Sequence, residues 1–502
     1  MLILLGNGLS THVSIDLGAE SGRISLVSLE DDMLRVEEVY RFPTGGIRVP
    51  IGDRVTLRWD VLRFFQEIMK GLRNLKRDVS SVGVDTWGVD FALLDEKGDL
   101  ISNPYHYRDE RTRGVMNTVI EKLGRWFIYK NTGIQFMPIN TLYQLYSLVL
   151  DNSLQLRIAH TFLMMPDLFN YWLTGERKSE FTIATTTQFF NPLNEDWCYE
   201  ILDRLNIPTR IFPEVIQAGT VLGKINKNLE TRDMQVIATA SHDTASAVVA
   251  VPANTEDFAY ISSGTWSLVG IEVDRPVISE KALEYNFTNE GGYGYTFRFL
   301  KNVIGLWLIQ ELRKEWYVGE RLVTYSEIVE AASRVRSFQY FIDPDYEDFV
   351  YISEKPMSMR ITEYCKQTGQ RPPSNLPEMA RTIFESLAFK YRWVIEKIEE
   401  ISGRKVEVIH IVGGGSRNQL LNQLTAEITR RRVIAGPSEA TTIGNAIVQM
   451  IALGEIEDIK RARRIISRSF ELKIYEPRLD ENLINESYEK WKRIIKIESE
   501  DE

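Results

Sequence analysis

Ser241-His-Asp-Thr-Ala-Ser-Ala247 sets one carboxylate, Asp243, between an apolar run and a stretch of small residues. Val236-Ile-Ala-Thr-Ala240 before it reads as a buried strand or strand end, and the Ala, Ser and Val after it suit a tightly packed helix. A strand that ends in an Asp at the mouth of a helix is where an α/β protein presents a charged group to a ligand. A carboxylate held there can take the proton of a sugar hydroxyl as that oxygen attacks a phosphate. The competing reading is local, since an Asp after Ser-His also serves as an N-cap for orphan helix N–H groups.

Three further segments could handle the phosphate. His12–Leu17 and Ile24–Leu29 read as strands joined by the turn Gly18-Ala19-Glu20-Ser21-Gly22, with Asp16 at its approach. Phe258–Ser262 and Trp266–Ile271 form a second strand pair around Ser263-Gly264-Thr265. Val406–Val412 is an apolar strand, followed by Gly413-Gly414-Gly415-Ser416 and a helix predicted over Arg417–Thr429. Glycine tips offer backbone N–H groups to phosphate oxygens and permit an approach that a Cβ would block. Asp16 can hold Mg²⁺, directly or through water. Each element alone is commonly no more than a turn or a tight packing contact; their order along one chain is more specific. Other phosphate and metal signatures fail. Gly219-Thr-Val-Leu-Gly-Lys224 comes near the P-loop pattern but ends in Ile225, and after Gly413 the last glycine of a dinucleotide motif is Asn418. The five histidines show no zinc-ligand spacing, so a dehydrogenase or a zinc hydrolase is disfavoured.

These segments need positioning elements, and the chain supplies them. Asp60–Leu75 carries Leu62, Phe64, Phe65, Ile68 and Leu72 on one broad helical face. Asn140–Leu150, Pro166–Thr174 (stopped by Gly175) and 379–400 read as helices, and Ser81–Asp85 and Phe91–Gly98 as strands. A strand–tip–strand unit near the start of each half, with α/β material after both, predicts two related domains meeting at a cleft, divided as 1–240 and 241–502. The 502 residues suffice for more than one core. A net charge of −10 argues against a nucleic-acid or anionic-membrane partner, and no apolar run approaches a membrane span. Two distant cysteines, Cys198 and Cys365, argue for a reducing, cytoplasmic compartment without a disulfide framework. The apolar start Met1–Ser10 lacks the basic leader of a signal peptide, and Lys496–Glu502 reads as a solvated acidic end.

In their order, Asp16-Leu-Gly18 with Ser21-Gly22-Arg23, then Asp243, then Ser263-Gly-Thr-Trp266, then Gly413-Gly-Gly-Ser-Arg-Asn-Gln419 resemble the FGGY carbohydrate kinases of the actin–hexokinase superfamily. Val84–Asp90, Tyr107–Thr112, Gly133–Phe136, Asn140–Gln144, Ala184–Gln188, Asn286–Gly291 and Leu300–Trp307 extend the likeness, which runs from about Ser14 to about Ile451. Glu20 departs from it, putting a charge where a small polar residue is expected. The resemblance implies an α/β fold of two related actin/hexokinase-like, ribonuclease H-like domains, binding ATP, Mg²⁺ and a small sugar as a monomer or homodimer. It places the general base at Asp243. His242 and Thr244 would flank the sugar, with Gly88 below it and Asn302 facing it; Trp87 would pack on an apolar sugar face, unless it is a core aromatic, and Asp90 would hold a hydroxyl. Ala19, Glu20, Ser21, Gly22, Arg23 and Thr265 would approach the ATP phosphates, Gln310 and Gly413–Gly415 would hold the nucleotide, and Asp16 the metal. The implied reaction moves the γ-phosphate of ATP to the 1-hydroxyl of a ketose. A nucleotide-dependent binding module, as actin-like relatives are, is the non-enzymatic alternative.

Overall fold

The structure is a computed structural model that describes residues 10–350 and 354–496. The N-terminal apolar patch up to residue 9 and the acidic tail after Lys496 lie outside the described residues. The chain divides into two compact units, the first comprising residues up to Asn254, Glu272–Phe299 and Glu439–Phe470, the second Thr255–Ile271, Leu300–Ser438 and the residues from Glu471 on.

In the first unit, β1 (Thr11–Leu17), β2 (Ser21–Glu30) and β3 (Met33–Pro43) form an antiparallel meander. Helix α1 (Val61–Arg73) follows, started by Asp60, whose side chain accepts from Arg63 N. Its Phe64, Ile68 and Leu72 are fully buried, each stabilising the fold by roughly 1.5–3 kcal/mol relative to exposure. They join Val13, Ile15 and Leu17 of β1 in one core with Val82 and Val84 of β4 (Ser81–Thr86). Strand β4 runs parallel to β1, as the crossover through α1 requires. Helices α2 (Thr141–Leu150) and α3 (Met165–Thr174) lie where the apolar periodicity predicts, and Gly175 ends α3 in the left-handed region at φ 90°. Strands β5 (Thr220–Lys224) and β6 (Gln235–Ala238) complete a sheet of order β5-β6-β4-β1-β2-β3. The predicted strand at 91–98 is shorter, Phe91–Leu94, because Asp95 and Gly98 close a turn. After β6 comes α4 (Asp243–Val249).

The second large sheet repeats this plan. Strands β7 (Phe258–Ser263) and β8 (Trp266–Val273) form an antiparallel hairpin. Strands β9 (Thr288–Gly291) and β10 (Phe297–Ile304) extend it on one side. The 27-residue helix α5 (Leu376–Ser402), capped by the Asn375 side chain and stopped by Gly403, crosses to β11 (Val408–Val412), which pairs parallel with β7. Helix α6 (Gln419–Thr429) leads to β12 (Arg432–Ala435), parallel to β11, and β13 (Lys473–Tyr475) closes the order β9-β10-β8-β7-β11-β12-β13. From β3 through β5 in the first sheet, and from β10 through β13 in the second, the strands follow one plan: a hairpin, two parallel neighbours, an antiparallel edge.

The expected 240/241 division does not match these units. Helix α4 belongs to the first, and so does α7 (Ala440–Ala452), which packs on α4 and β1. Its glycine and small residues reach a partner distant in sequence, which local patterning does not reveal. Cys198 and Cys365 are buried and unbridged, and no helix among the described residues is long and apolar enough to cross a membrane.

Candidate active site

Asp243 is the first residue of α4, and the N-cap position belongs to His242. Its carboxylate accepts no backbone N–H among the described residues; Oδ1 takes Thr244 Oγ1 at 3.2 Å and lies 3.5 Å from His242 Nε2. The capping reading of Asp243 is therefore incorrect. The side chain keeps about a third of its surface exposed, an acceptor held at a helix mouth. The backbone before it is stitched down: Ser241 N donates to Glu180 Oε2 at 3.1 Å, His242 N to Thr182 Oγ1 at 3.2 Å, and Thr86 N at the end of β4 to Ser241 O at 2.9 Å. Burial pushes the Glu180 carboxyl up to about 7, against the donors from Thr182, Ser241 and Ile183. His242 is itself wedged. Its Nδ1 takes Arg298 Nη2 at 3.0 Å and lies 3.3 Å from Glu290, which Arg298 also holds at 3.2 Å.

Gly88 faces this histidine, for a Cβ there would stand 3.3 Å from His242 Nε2 and 3.4 Å from Thr186. Val89, next to it, sits at φ 65°, a conformation costing a β-branched residue roughly 1–3 kcal/mol. Three side chains hold it there. Its N–H donates to Thr186 Oγ1 at 3.2 Å, and its carbonyl accepts from Thr141 Oγ1 at 2.7 Å and Gln144 Nε2 at 3.3 Å. Gly88, His242, Asp243 and Thr244 thus come together in the first unit. Asp90 does not take its expected place. It is fully buried, and its oxygens accept from Trp59 Nε1 (2.5 Å), Trp87 Nε1 (3.0 Å), Tyr107 N (3.1 Å) and Gln144 Nε2 (2.9 Å). Three of these donors meet Oδ2 and one meets Oδ1, and with no surface exposed Asp90 orients Trp87 from within the core. Burial lifts its carboxyl to about 6. Trp87 is 6% exposed, with its ring 4.0 Å from that of Trp59, which favours the core-aromatic reading. Asn302 stands half-buried on β10, in the second unit.

The β1–β2 tip is tied by its carbonyls. Thr44 N donates to Glu20 O, Gly45 N to Ala19 O (both 3.1 Å) and Thr44 Oγ1 to Gly18 O at 2.6 Å, while the amides of Ala19 and Glu20 meet no protein acceptor among the described residues. Gly22 is required by packing, since a Cβ would fall 2.7 Å from Phe42 Cε2. Asp16 pairs in register with Arg23 on β2 and Asp85 on β4. Arg23 bridges Asp16 (3.1 Å) and Glu439 (2.6 Å), so its guanidinium is anchored beside the tip together with Ser21 and Gly22. Burial raises the Asp16 carboxyl to about 6; Arg23 opposes this and Asp243 adds to it.

The β7–β8 tip uses the same device. Leu306 N donates to Gly264 O at 2.9 Å, and Gly305 N (3.1 Å) and Trp307 N (3.2 Å) to Thr265 O. Thr265 Oγ1 lies 3.4 Å from the Gln310 amide. Gly413, at φ 81°, and Gly415 press on Ser263, where a Cβ on either would stand 3.1 Å from Ser263 O. Thr265, Gln310 and Gly413–Gly415 are therefore gathered within the second unit. The helix expected from Arg417 begins at Gln419, since Gly414–Arg417 form a 3₁₀ turn and the Asn418 side chain caps α6.

Sequence reasoning missed Glu180, Thr186, Glu290, Arg298, Asp85, Asn445 and Gln449. A signal existed for the last three: Asp85 ends an otherwise apolar strand, and Asn445 and Gln449, four apart, interrupt an apolar helix. Among the described residues no three His, Cys, Asp or Glu side chains close a metal cage. Asp16 nevertheless presents the oxygen chemistry that suits Mg²⁺, which takes one or two carboxylates and completes its shell with water and phosphate.

The model of the FGGY family of carbohydrate kinases, N-terminal domain, matches residues 11–250, and that of the C-terminal domain residues 259–453. A rhamnulokinase of Oceanobacillus iheyensis is 41% identical over 472 residues, covering 92% of this chain and 98% of the relative. A rhamnulokinase of Halalkalibacterium halodurans is 42% identical over 471 residues, with 92% and 98% covered. Among solved structures, Plasmodium falciparum glycerol kinase with ADP superposes with a TM-score of 0.77 at 13% identity, over 97% of each chain, a likeness of fold. With both domain models matched in order and relatives above 40% identity over nearly the whole length, the chain belongs to the FGGY family of carbohydrate kinases.

Proposed function

We propose that this kinase transfers the γ-phosphate of ATP to the 1-hydroxyl of L-rhamnulose, giving L-rhamnulose 1-phosphate and ADP. The observation that carries the chemistry is Asp243: a carboxylate fixed at a helix mouth, unused as a cap, beside His242 and Gly88. The relatives named rhamnulokinase, at about 40% identity, support the choice of sugar. Asp243 accepts the proton of the 1-hydroxyl as that oxygen forms its bond to the γ-phosphorus and the bond to the β-phosphate oxygen breaks. His242, held by Glu290 and Arg298, and Thr244 flank the sugar, with Gly88 beneath it. The amides at Ala19 and Glu20 stabilise charge on the transferring group. Gln310 and Gly413–Gly415 hold the nucleotide. Asp16 would hold Mg²⁺, which when bound neutralises triphosphate charge. Two buried, unbridged cysteines suit a reducing cytoplasm.

The test is coupled ADP release with Mg·ATP against L-rhamnulose, L-fuculose, L-xylulose, D-xylulose and glycerol, run on the wild type and Asp243→Asn. Preference for L-rhamnulose, lost by about 10²–10⁴-fold in the variant with binding retained, is the expected result. Preference for another ketose moves the substrate; near-normal turnover in the variant removes Asp243 as the base.

A further inference from the structure

Asp85, the last residue but one of β4, is fully buried, and its two oxygens are treated differently. Oδ2 accepts from Asn445 Nδ2 at 2.5 Å, while Oδ1 is buried with no hydrogen-bond partner among the described residues. The cation whose charge reaches it, Arg23, is held by Asp16 and Glu439. Behind Oδ2 runs a polar ladder through the core. Asn445 Oδ1 accepts from Gln449 Nε2 at 2.7 Å, and the same amide nitrogen donates to Val13 O at 2.9 Å. Gln449 Oε1 accepts from Ser81 Oγ at 2.6 Å. Ser81 in turn lies 2.8 Å from His12 Nδ1, and His12 Nε2 lies 2.9 Å from Glu455. Both amides turn their NH₂ to acceptors and their oxygen to a donor, so the ladder is consistent in one direction and fixes the Asp85 carboxylate. Gly83 admits it, because a Cβ there would stand 2.9 Å from Asn445 Oδ1.

We propose that Asp85, in register beside Asp16, supplies a second carboxylate oxygen to the Mg²⁺ of the bound nucleotide, with Asn445 and Gln449 as its positioning residues. The proposal rests on the reading of the chain as an Mg·ATP-dependent kinase. A buried carboxylate oxygen without a donor is costly to leave unmade, and here Asp16 and Asp243 add negative charge around it. A dication answers both the missing partner and the excess charge. An oxygen pair on adjacent strands, with the rest of the shell left to water and phosphate, is the donor set Mg²⁺ takes. A buried water would fill Oδ1 without countering the charge.

The test uses Mn²⁺ as a paramagnetic substitute, titrated into the full-length protein with saturating ADP and followed by electron paramagnetic resonance, with metal-free ADP binding measured separately. Asp85→Asn is expected to weaken Mn²⁺ binding by tenfold or more and leave metal-free ADP binding within twofold. Asn445→Ser, which keeps the carboxylate and removes its anchor, is expected to weaken it by about tenfold, as loss of an outer-shell partner does. A folded Asp85→Asn protein that binds Mn²⁺ within twofold of wild type overturns the proposal and assigns Oδ1 to water, while the kinase reading stands. If Asp85→Asn does not fold, an unchanged Mn²⁺ affinity in Asn445→Ser overturns it equally. A wild type that forms no Mn²⁺·ADP complex removes both.

Discussion

Gly444→Ala sets two effects of known size against each other. In the middle of a helix, replacing Gly by Ala is worth about 1 kcal/mol in stability. But Gly444 is where α7 crosses α4, and an added Cβ would stand 2.6 Å from the carbonyl carbon of Ser246 and 3.2 Å from its Cα, with the carbonyl oxygen closer still. These are backbone atoms of a helix pinned by Ser246 Oγ to Ala240 O at 2.8 Å, so no side-chain rotation relieves the clash. Ordinary contact begins at 3.4 Å, and the helices must part by at least roughly 0.8 Å. Overpacking of this kind costs about 1–3 kcal/mol, which leaves a net loss of about 0–2 kcal/mol after the helix gain. The effect on rate should be larger. Ser246 is one turn from Asp243, and displacing a reacting group by about 1 Å costs on the order of 10²-fold. The expected outcome is a kcat down by about 10- to 100-fold with Tm lowered by a few degrees and KM for ATP unchanged, read by coupled ADP release and thermal unfolding. A Tm raised by a few degrees with kcat within twofold would mean that α4 and α7 do not touch at Gly444, and would refute the reasoning.

Two further changes probe other parts of the site. Glu180 carries a carboxyl raised by burial from 4.5 to about 7, so its share of stability is full below pH 4.5 and is lost as pH rises through 7; at ~1.4 kcal/mol per pH unit that is about 3 kcal/mol. Urea midpoints at pH 5 and pH 8 should show this loss in the wild type, and Glu180→Gln should flatten it while lowering kcat, because its amide turns an NH₂ toward donors such as Ser241 N; an unchanged pH slope would assign the loss to other groups. Gly415→Ala would put a Cβ 2.5 Å from Ser263 Cβ, so KM for ATP should rise several-fold with KM for the sugar unchanged, and an unaltered KM for ATP would remove the glycine run from the nucleotide site.

The parts of this fold that sequence made legible are those whose cause is local. Asp60 starts α1 and Gly175 stops α3 because caps act within one turn, and both tips were found because glycine punctuates a strand pair. The misreadings share the opposite property. Asp90 looked like a free carboxylate because its four donors come from Trp59, Trp87, Tyr107 and Gln144, scattered over 86 positions of sequence. Helix α7, late in the chain, falls in the first compact unit because its Gly444 and Asn445 meet Ser246 and Asp85, some 200 and 360 residues earlier.

That distribution has a physical origin. A buried polar group must be satisfied, and on a parallel strand the side-chain neighbours satisfy only part of it: His12 of β1 meets Ser81, but the neighbour of Asp85 is another carboxylate, Asp16. The partner has to come from whatever helix covers that face. Here the cover over β1 and β4 is α7, and its otherwise apolar sequence admits Asn445 and Gln449 where Asp85 and Ser81 need them. Polar residues four apart on an apolar helix are therefore a sign of a charge or hydroxyl beneath, even when the strand that carries it is hundreds of residues away. In this chain that charge lies beside Asp16, and the same helix positions α4 through Gly444. One helix thus fixes both Asp243, the proposed base, and its carboxylate neighbours, which is why Gly444→Ala and Asn445→Ser should impair catalysis from positions outside the proposed substrate contacts.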